Sequence, residues 1–223
     1  MSIQGMVFDG RKPGKGFDEW MTDPTWIELI RTSMKSIDFD PCSNIVAQQY
    51  VKAKTFCVHP SQYKVTDVIK CDILEDGLSQ QWKGNVFCNP PYSKGNIDAF
   101  ADKALYEWNE RNAYLDDDHY TKDNPYVNQM MILVNSATDA KWYHSLLNAS
   151  SATLLVKGRI KFWKIMDGKA HAKWEGEKSK KEGKNKIGNS PRYLNTLFYF
   201  GDINGILRFK ALFREKGTIM VQA

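Results

Sequence analysis

The sequence has no run of the roughly 18–20 apolar residues that a membrane-spanning helix requires. Its opening stretch, Met1-Ser2-Ile3-Gln4-Gly5, carries neither a basic flank nor an apolar core, so no secretory signal is read there. A membrane-embedded or secreted protein is therefore not expected, and a cytoplasmic one is. Cysteine is sparse. The four, Cys42, Cys57, Cys71 and Cys88, include no Cys-x-x-Cys pair, and no histidine pair lies nearby at zinc-ligand spacing. Neither a bound metal nor a disulfide framework is expected, and scattered thiols fit a reducing compartment. Internal repeats and proline- or serine-rich linkers are also missing. What remains is ordinary globular composition, 42% hydrophobic and 26% charged over 223 residues. That length suits one domain with a modest insertion.

The formal net charge is +5, but it is unevenly placed. Residues 157–192 hold twelve Lys or Arg against four Asp or Glu, a local balance of +8; the remainder has nineteen basic and twenty-two acidic residues, or −3. A compact positive segment on a near-neutral body is what a polyanion-binding surface needs. The alternative is a solvated lysine loop.

Hydrophobic patterning predicts alternating strands and helices. Residues 1–17 hold four glycines and little apolar periodicity, and read as a mobile arm. Asp23-Pro24 is a helix start, with Trp26, Ile27, Leu29 and Ile30 following. Ile37-Asp38-Phe39-Asp40 reads as a short strand entering a Pro41-Cys42-Ser43-Asn44 turn, and a further strand is expected within 65–74. Asn85-Val86-Phe87-Cys88 is a buried strand stopped by Asn89-Pro90-Pro91. Ile97, Phe100, Ala101, Ala104, Leu105 and Trp108 recur at helical spacing. Residues 109–128 read as an irregular insertion. The continuous apolar run Met130-Met131-Ile132-Leu133-Val134 marks a central strand covered on both faces. A helix over 141–147 and strands over 153–156 and 195–200 complete the pattern. The order implies an α/β sheet, mainly parallel, and such sheets bind ligands at the carboxyl ends of their strands. Two candidate turns sit there: Asp40-Pro41-Cys42-Ser43 and Asn89-Pro90-Pro91-Tyr92.

The second turn suits one chemistry, methylation of an exocyclic amine. Such a nitrogen is a poor nucleophile because its lone pair is delocalised into the ring. Acceptors that hold its hydrogens let it pyramidalise. Asn89 offers a side-chain oxygen, and a carbonyl of Pro90 or Pro91 a second acceptor without a competing N–H. Tyr92 offers a face on which an extruded base can lie. Asn89 is neutral, so it positions and polarises and is no strong base. A rigid loop or a polyproline ligand is the other reading. Tyr92 follows the second proline directly, so the Pro-Pro-x-Tyr ligand pattern is absent, and a buried strand leads in.

Asn89-Pro90-Pro91-Tyr92 after a strand resembles the catalytic motif of S-adenosylmethionine-dependent amino-methyltransferases, and the chain as a whole resembles the phage-encoded DNA N6-adenine methyltransferases. Asp18-Glu19-Trp20, Thr22 and Pro24 are similar to that family's opening Asp-Glu-Trp-x-Thr-Pro. Asp40-Pro41-Cys42-Ser43-Asn44 resembles its cofactor loop, and Asp76-Gly77-Leu78-Ser79 with Trp82 the approach to the catalytic strand. Asn89 to Ser93 is similar to the catalytic loop. Thr138-Asp139, Lys141-Trp142 and His144, and then Gly158-Arg159-Ile160-Lys161-Phe162, resemble runs after later strands. The likeness spans about residues 18–200. Against that pattern, an extra Asp23 stands between Thr22 and Pro24, the cofactor loop has no glycine, and segments near 57–71, 109–128 and 167–190 are longer.

The resemblance implies a Rossmann-like methyltransferase fold: a mainly parallel sheet with an antiparallel strand near the C-terminus and helices on both faces. It implies one domain over 18–223, with a basic insert at about 167–190 that contacts DNA. S-adenosylmethionine is the expected cofactor, with Asp40 receiving its ammonium group, Trp20, Thr22, Pro24, Pro41, Cys42, Ser43 and Asn89 lining its pocket, and either Asp72 or Asp76 accepting its adenine amino group. Asn89, Pro90, Pro91 and Tyr92 are the expected catalytic set. Ser93, Lys157, Arg159, Lys161, Lys173, Lys178, Lys180, Lys181, Lys184, Lys186 and Arg192 are the expected DNA contacts; lysine density gives affinity and not sequence. Asp139 and Lys141 read as helix-start and surface residues. Pro41-Cys42 matches the nucleophile dipeptide of C5-cytosine enzymes, but it lies in the cofactor loop and is read as a pocket-lining thiol. N6-adenine methylation is the leading activity, in a restriction–modification or anti-restriction setting. N4-cytosine methylation, methylation of RNA or of a protein glutamine, and a non-catalytic DNA-binding protein that keeps the fold are the alternatives. Oligomeric state is open, with a monomer favoured.

Overall fold

The computed structural model describes residues 20–58, 72–92, 95–110, 127–166, 169–172 and 193–222. The chain runs β1 (Trp20–Thr22), α1 (Pro24–Met34), β2 (Phe39–Ser43), α2 (Ile45–Val51), β3 (Thr55–Val58), β4 (Asp72–Glu75), β5 (Gly84–Cys88) and α3 (Asn96–Leu105), which ends in a π-helical turn (Tyr106–Glu110). It continues with β6 (Val127–Asn135), α4 (Lys141–Ala149), β7 (Ala152–Val156), β8 (Phe162–Met166), β9 (Lys169–Ala172), β10 (Asn195–Phe200), α5 (Ile203–Phe213) and β11 (Gly217–Val221).

Side-chain caps start α1, which the sequence reading placed at Asp23-Pro24, and α2 and α5, where it named no helix. Asp23 caps α1 by accepting the Thr25 N–H at 2.8 Å, with Pro24 as the first helical residue. Asn44 caps α2 through the Ala47 N–H at 2.8 Å, and Asp202 caps α5 through Gly205 at 2.7 Å. Ile27, Ile30 and Met34 form the buried stripe of α1.

Eight strands form one sheet in the order β11-β7-β10-β6-β5-β2-β3-β4. The neighbours from β4 through β3, β2 and β5 to β6 are parallel, whereas β10 is antiparallel to β6 and β7, and β11 is antiparallel to β7. This is a Rossmann-like methyltransferase arrangement. It carries two reversed strands near the C-terminus where the sequence suggested one. A second sheet of three antiparallel strands, β1-β8-β9, joins the start of the described chain to residues 162–172.

The apolar run of β6 is covered on both sides, as its pattern requires. Met131 and Leu133 join a core with α1, α2 and α5, while Met130, Ile132 and Val134 join one with α3 and α4. A buried polar group crosses the first core. Gln129 donates to the Met34 carbonyl (2.9 Å) and Asn85 Oδ1 (3.1 Å), and its own Oε1 accepts from Tyr199 (3.2 Å). That ties α1, β5, β6 and β10 together, with the polar atoms satisfied as burial demands. Among the described residues no helix is long and apolar enough to cross a membrane.

Phe209 closes the α5 side: it is fully buried, 5.4 Å from the Tyr199 ring and 4.9 Å from that of Phe213. Phe209→Ala should lower the unfolding free energy by about 3–5 kcal/mol, read as a shift of the urea midpoint; a shift equivalent to under about 1 kcal/mol would contradict this packing.

Candidate active site

The site is built at the carboxyl ends of β2, β4, β5 and β6, with the end of β1 laid over them. At β2 the chain stays extended through Ser43 instead of turning at Pro41, with an irregularity in register against β3 between Asp40 and Ser43. The Cys42 N–H is directed at Asp40 Oδ1, 3.2 Å away, and not at a neighbouring strand. Asp40 is 3% exposed. Its Oδ2 accepts from Gln48 Nε2 at 2.9 Å, and the same nitrogen donates to Ser43 Oγ at 2.6 Å. Gln48 is itself oriented, because its Oε1 accepts the Ala53 N–H at 2.9 Å. Burial pushes the Asp40 carboxyl up to about 6, against the hydrogen bonds from Ser43, the Cys42 N–H and Gln48, which favour the ionised form. Among the described residues no Lys or Arg side chain pairs with it. A buried carboxylate of this kind can pair with a cationic group.

The loop after β4 closes against this strand. A Cβ on Gly77 would stand 2.1 Å from the Pro41 carbonyl oxygen, so only glycine allows the two backbones to approach this closely. The Gly77 carbonyl accepts from Trp82 Nε1 at 2.8 Å, and Trp82 is fully buried beside Phe39. Asp76, with φ of 45°, uses Oδ1 to accept the Leu78 N–H at 3.1 Å and so turns this loop. Only the backbone of Asp72, the other acid expected here, is described, in β4.

At β5 the loop delivers Asn89 and Tyr92. Asn89 Nδ2 donates to Thr22 Oγ1 at 3.3 Å. The Tyr92 hydroxyl lies 2.8 Å from Asn89 Oδ1 and 3.1 Å from the Leu133 carbonyl, so one phenolic hydrogen sits between two acceptors. The residue is 37% exposed while its hydroxyl is enclosed. Burial, and then the neighbouring Cys88 and Cys42 thiols, hold the phenol well above its ordinary range, so it stays a donor. Pro90 is buried and Pro91 exposed. Cys42 Sγ lies 3.6 Å from Cys88 Sγ. Burial, Cys88 and Asp40 push the Cys42 thiol well above its usual value. A thiol held neutral is a poor nucleophile, which agrees with a lining role.

The structure therefore brings Thr22, Asp40, Pro41, Cys42, Ser43, Asp76, Asn89, Pro90 and Tyr92 to one edge of the sheet. Pro24 opens α1 directly beyond Thr22. Of Trp20 only the backbone, in β1, is described. Lys157, Arg159 and Lys161 are exposed on the loop after β7, at the same edge. Asp139 and Lys141 are exposed in the turn and first residue leading into α4. Ser93, Lys173, Lys178, Lys180, Lys181, Lys184, Lys186 and Arg192 lie outside the described residues. Three participants escaped the sequence reading. Gln48 looks like any polar residue of a short helix, the Leu133 carbonyl has no side-chain signature, and Gly77 becomes informative only once Pro41 is seen against it.

The fold is compatible with that of a Rossmann-like methyltransferase. A family model described as DNA N-6-adenine-methyltransferase (Dam) matches residues 69–187, more than half of the chain, and the protein belongs to that family. No curated protein and no solved structure matches it. DNA adenine methylation is the family's activity and S-adenosylmethionine its usual methyl donor.

Gln48→Leu keeps size but leaves Asp40 Oδ2 and the Ala53 N–H without their partner. It should cost about 1–3 kcal/mol of folding stability at neutral pH, measured by urea denaturation. Wild-type stability would mean that water replaces the amide without loss.

Proposed function

We propose that the protein transfers a methyl group from S-adenosylmethionine to the N6 amino group of adenine in DNA, the base being turned out of the duplex into the Asn89-Pro90-Pro91-Tyr92 pocket. The observation that carries this reading is the chain of hydrogen bonds Thr22–Asn89–Tyr92–Leu133, which holds one amide oxygen and one aromatic face at a strand end beside the buried Asp40.

The residues fit the cofactor. Asp40 is ready for an ammonium group, and the close approach of Gly77 to Pro41 shapes the wall beside it. When bound, S-adenosylmethionine supplies an electrophilic methyl on a sulfonium. The chain does the rest. Asn89 Oδ1 keeps a second lone pair beyond the one facing Tyr92, and this accepts an amino hydrogen of the target adenine. A carbonyl of the Pro90-Pro91 segment accepts the other, and the nitrogen lone pair is drawn out of conjugation. The Tyr92 ring stacks under the base while its hydroxyl keeps the Asn89 amide from turning. Pre-set dipoles of this kind need no reorganisation during the reaction. Lys157, Arg159 and Lys161, with Lys173, Lys178, Lys180, Lys181, Lys184, Lys186 and Arg192 of the basic segment, meet phosphates.

The direct test is transfer of labelled methyl to unmethylated DNA, followed by nucleoside analysis. N6-methyladenine is expected; N4-methylcytosine, or no label in DNA, would overturn the reading. Asn89→Ala and Tyr92→Ala should each cut turnover by on the order of a hundredfold or more, far more than they weaken cofactor binding measured by calorimetry.

Asp40 gives a pH signature. Its carboxyl is raised to about 6, so the free protein takes up a proton there as pH falls, and the protonated form cannot pair with an ammonium group. The S-adenosylmethionine dissociation constant should rise about tenfold between pH 7 and pH 5. Asp40→Asn should bind more weakly at neutral pH and lose this dependence; a wild-type profile without the inflection would remove Asp40 from the cofactor site.

A further inference from the structure

At the same edge of the sheet, two large side chains face solvent where β10 begins. Tyr193 is 62% exposed and Leu194 54% exposed. Scattered exposed hydrophobics are normal, but this pair sits in an unusual setting. Its backbone is fixed: the Leu194 carbonyl accepts the Ser136 N–H at 2.8 Å. The next residue, Asn195, is 1% exposed and clamps three elements together. Its Nδ2 donates to Asn135 Oδ1 at 3.3 Å, and its Oδ1 accepts the Ile160 N–H at 3.2 Å. Ile160 is buried, and around it Lys157, Arg159 and Lys161 are exposed. Asn195 thus locks an apolar pair beside a cationic loop on a rigid rim.

The register places this rim against the catalytic loop. Leu197 of β10 lies opposite Leu133 of β6, whose carbonyl accepts from Tyr92. Leu194 is three residues further toward the open edge, about 10 Å along the strand. One edge of the protein can therefore hold an extruded base and also reach the gap that base leaves. A duplex that loses a base from its stack exposes apolar base faces. Architectural and base-flipping proteins fill such gaps with apolar or aromatic side chains carried on a backbone that does not give way.

We propose that Tyr193 and Leu194 form the wedge that enters the duplex where the target adenine is turned out, while Lys157 and Arg159 hold the adjoining phosphates. The proposal rests on the DNA-methylation reading above and deepens it: these are positioning residues, needed for opening a paired target and not for methyl transfer itself. The energetic logic is that inserted side chains replace part of the stacking lost on extrusion, so the wedge matters most when the target is fully paired.

The experiment uses the full chain and begins by mapping the adenines that the wild type methylates in unmethylated plasmid DNA. Two short duplexes are then built around a mapped site, one with the target adenine paired to thymine and one with it in a mismatch. The double variant Tyr193→Ala/Leu194→Ala should methylate the paired duplex at least about tenfold more slowly than wild type, and the mismatched duplex within about twofold of it. With 2-aminopurine at the target of the paired duplex, the fluorescence rise on wild-type binding should be lost in the variant. Tyr193→Phe/Leu194→Met, which keeps both apolar bodies, should restore the rate and the fluorescence. Equal slowing on both duplexes, or none on either, overturns the wedge, as does the same defect in the conservative variant. A rate loss accompanied by a change in oligomeric mass would assign the pair to contact with a second copy of the chain and would also overturn it. Absence of N6-methyladenine with the wild type is a separate result: it fails the methylation reading before the wedge is tested.

Discussion

The ladder that places β6 between β5 and β10 is the frame on which every part of the site hangs. β6 is bonded along both edges and covered on both faces. Its Leu133 carbonyl holds Tyr92, its Asn135 side chain holds Asn195, and its Gln129 ties in α1 and Tyr199. A strand enclosed in this way cannot slip by one residue without turning its whole apolar set to the wrong face. The positions of the catalytic loop and of the cationic rim relative to each other therefore follow from a register that the core enforces.

Among the described residues no Lys or Arg side chain pairs with Asp40. Its carboxylate is met by an amide N–H, a glutamine and a serine, and the nearby sulfur atoms belong to thiols held neutral by burial. The electrostatic character of the pocket is that of one desolvated anion surrounded by dipoles, and such a site gains most from a ligand that brings the missing cation. Among the described residues, positive charge is instead exposed on the loop after β7, at Lys157, Arg159 and Lys161.

Much of this was legible in the sequence, and for identifiable reasons. Continuous apolar runs exposed β5, β6 and β10, because a strand covered on both faces has no room for polar residues. Asp23-Pro24 marked the start of α1, since capping is local chemistry. The position of Asn89-Pro90-Pro91-Tyr92 at a strand end was legible because the apolar strand and the prolines that stop it lie in one short stretch. Less legible was whatever depends on distant partners. The three-residue β1 becomes a strand only by pairing with β8, and Thr55–Val58 of β3 is too short to announce itself. The hidden β11 carries mixed polar and apolar residues because it lies at the sheet edge. Gln48 acquires its role through Asp40 and Ala53, which a linear pattern does not bring together.

The way the small sheet closes has a consequence for the order of assembly. Trp20 pairs with Lys164, and the Trp163 indole donates to Asp23 at 3.2 Å across 140 residues of chain. The segment matched by the family model starts after Thr22, Asp40 and Gln48 and stops before Asn195. As the chain leaves the ribosome, α1 and the parallel half of the sheet can form early, but β1 has no partner until β8 emerges, and β6 has one bare edge until β10 does. Contacts so far apart in sequence are made late and slowly. The strand that bears Asp40 and the loop that bears Asn89 can therefore form while β1 is still unpaired and one edge of β6 is still bare.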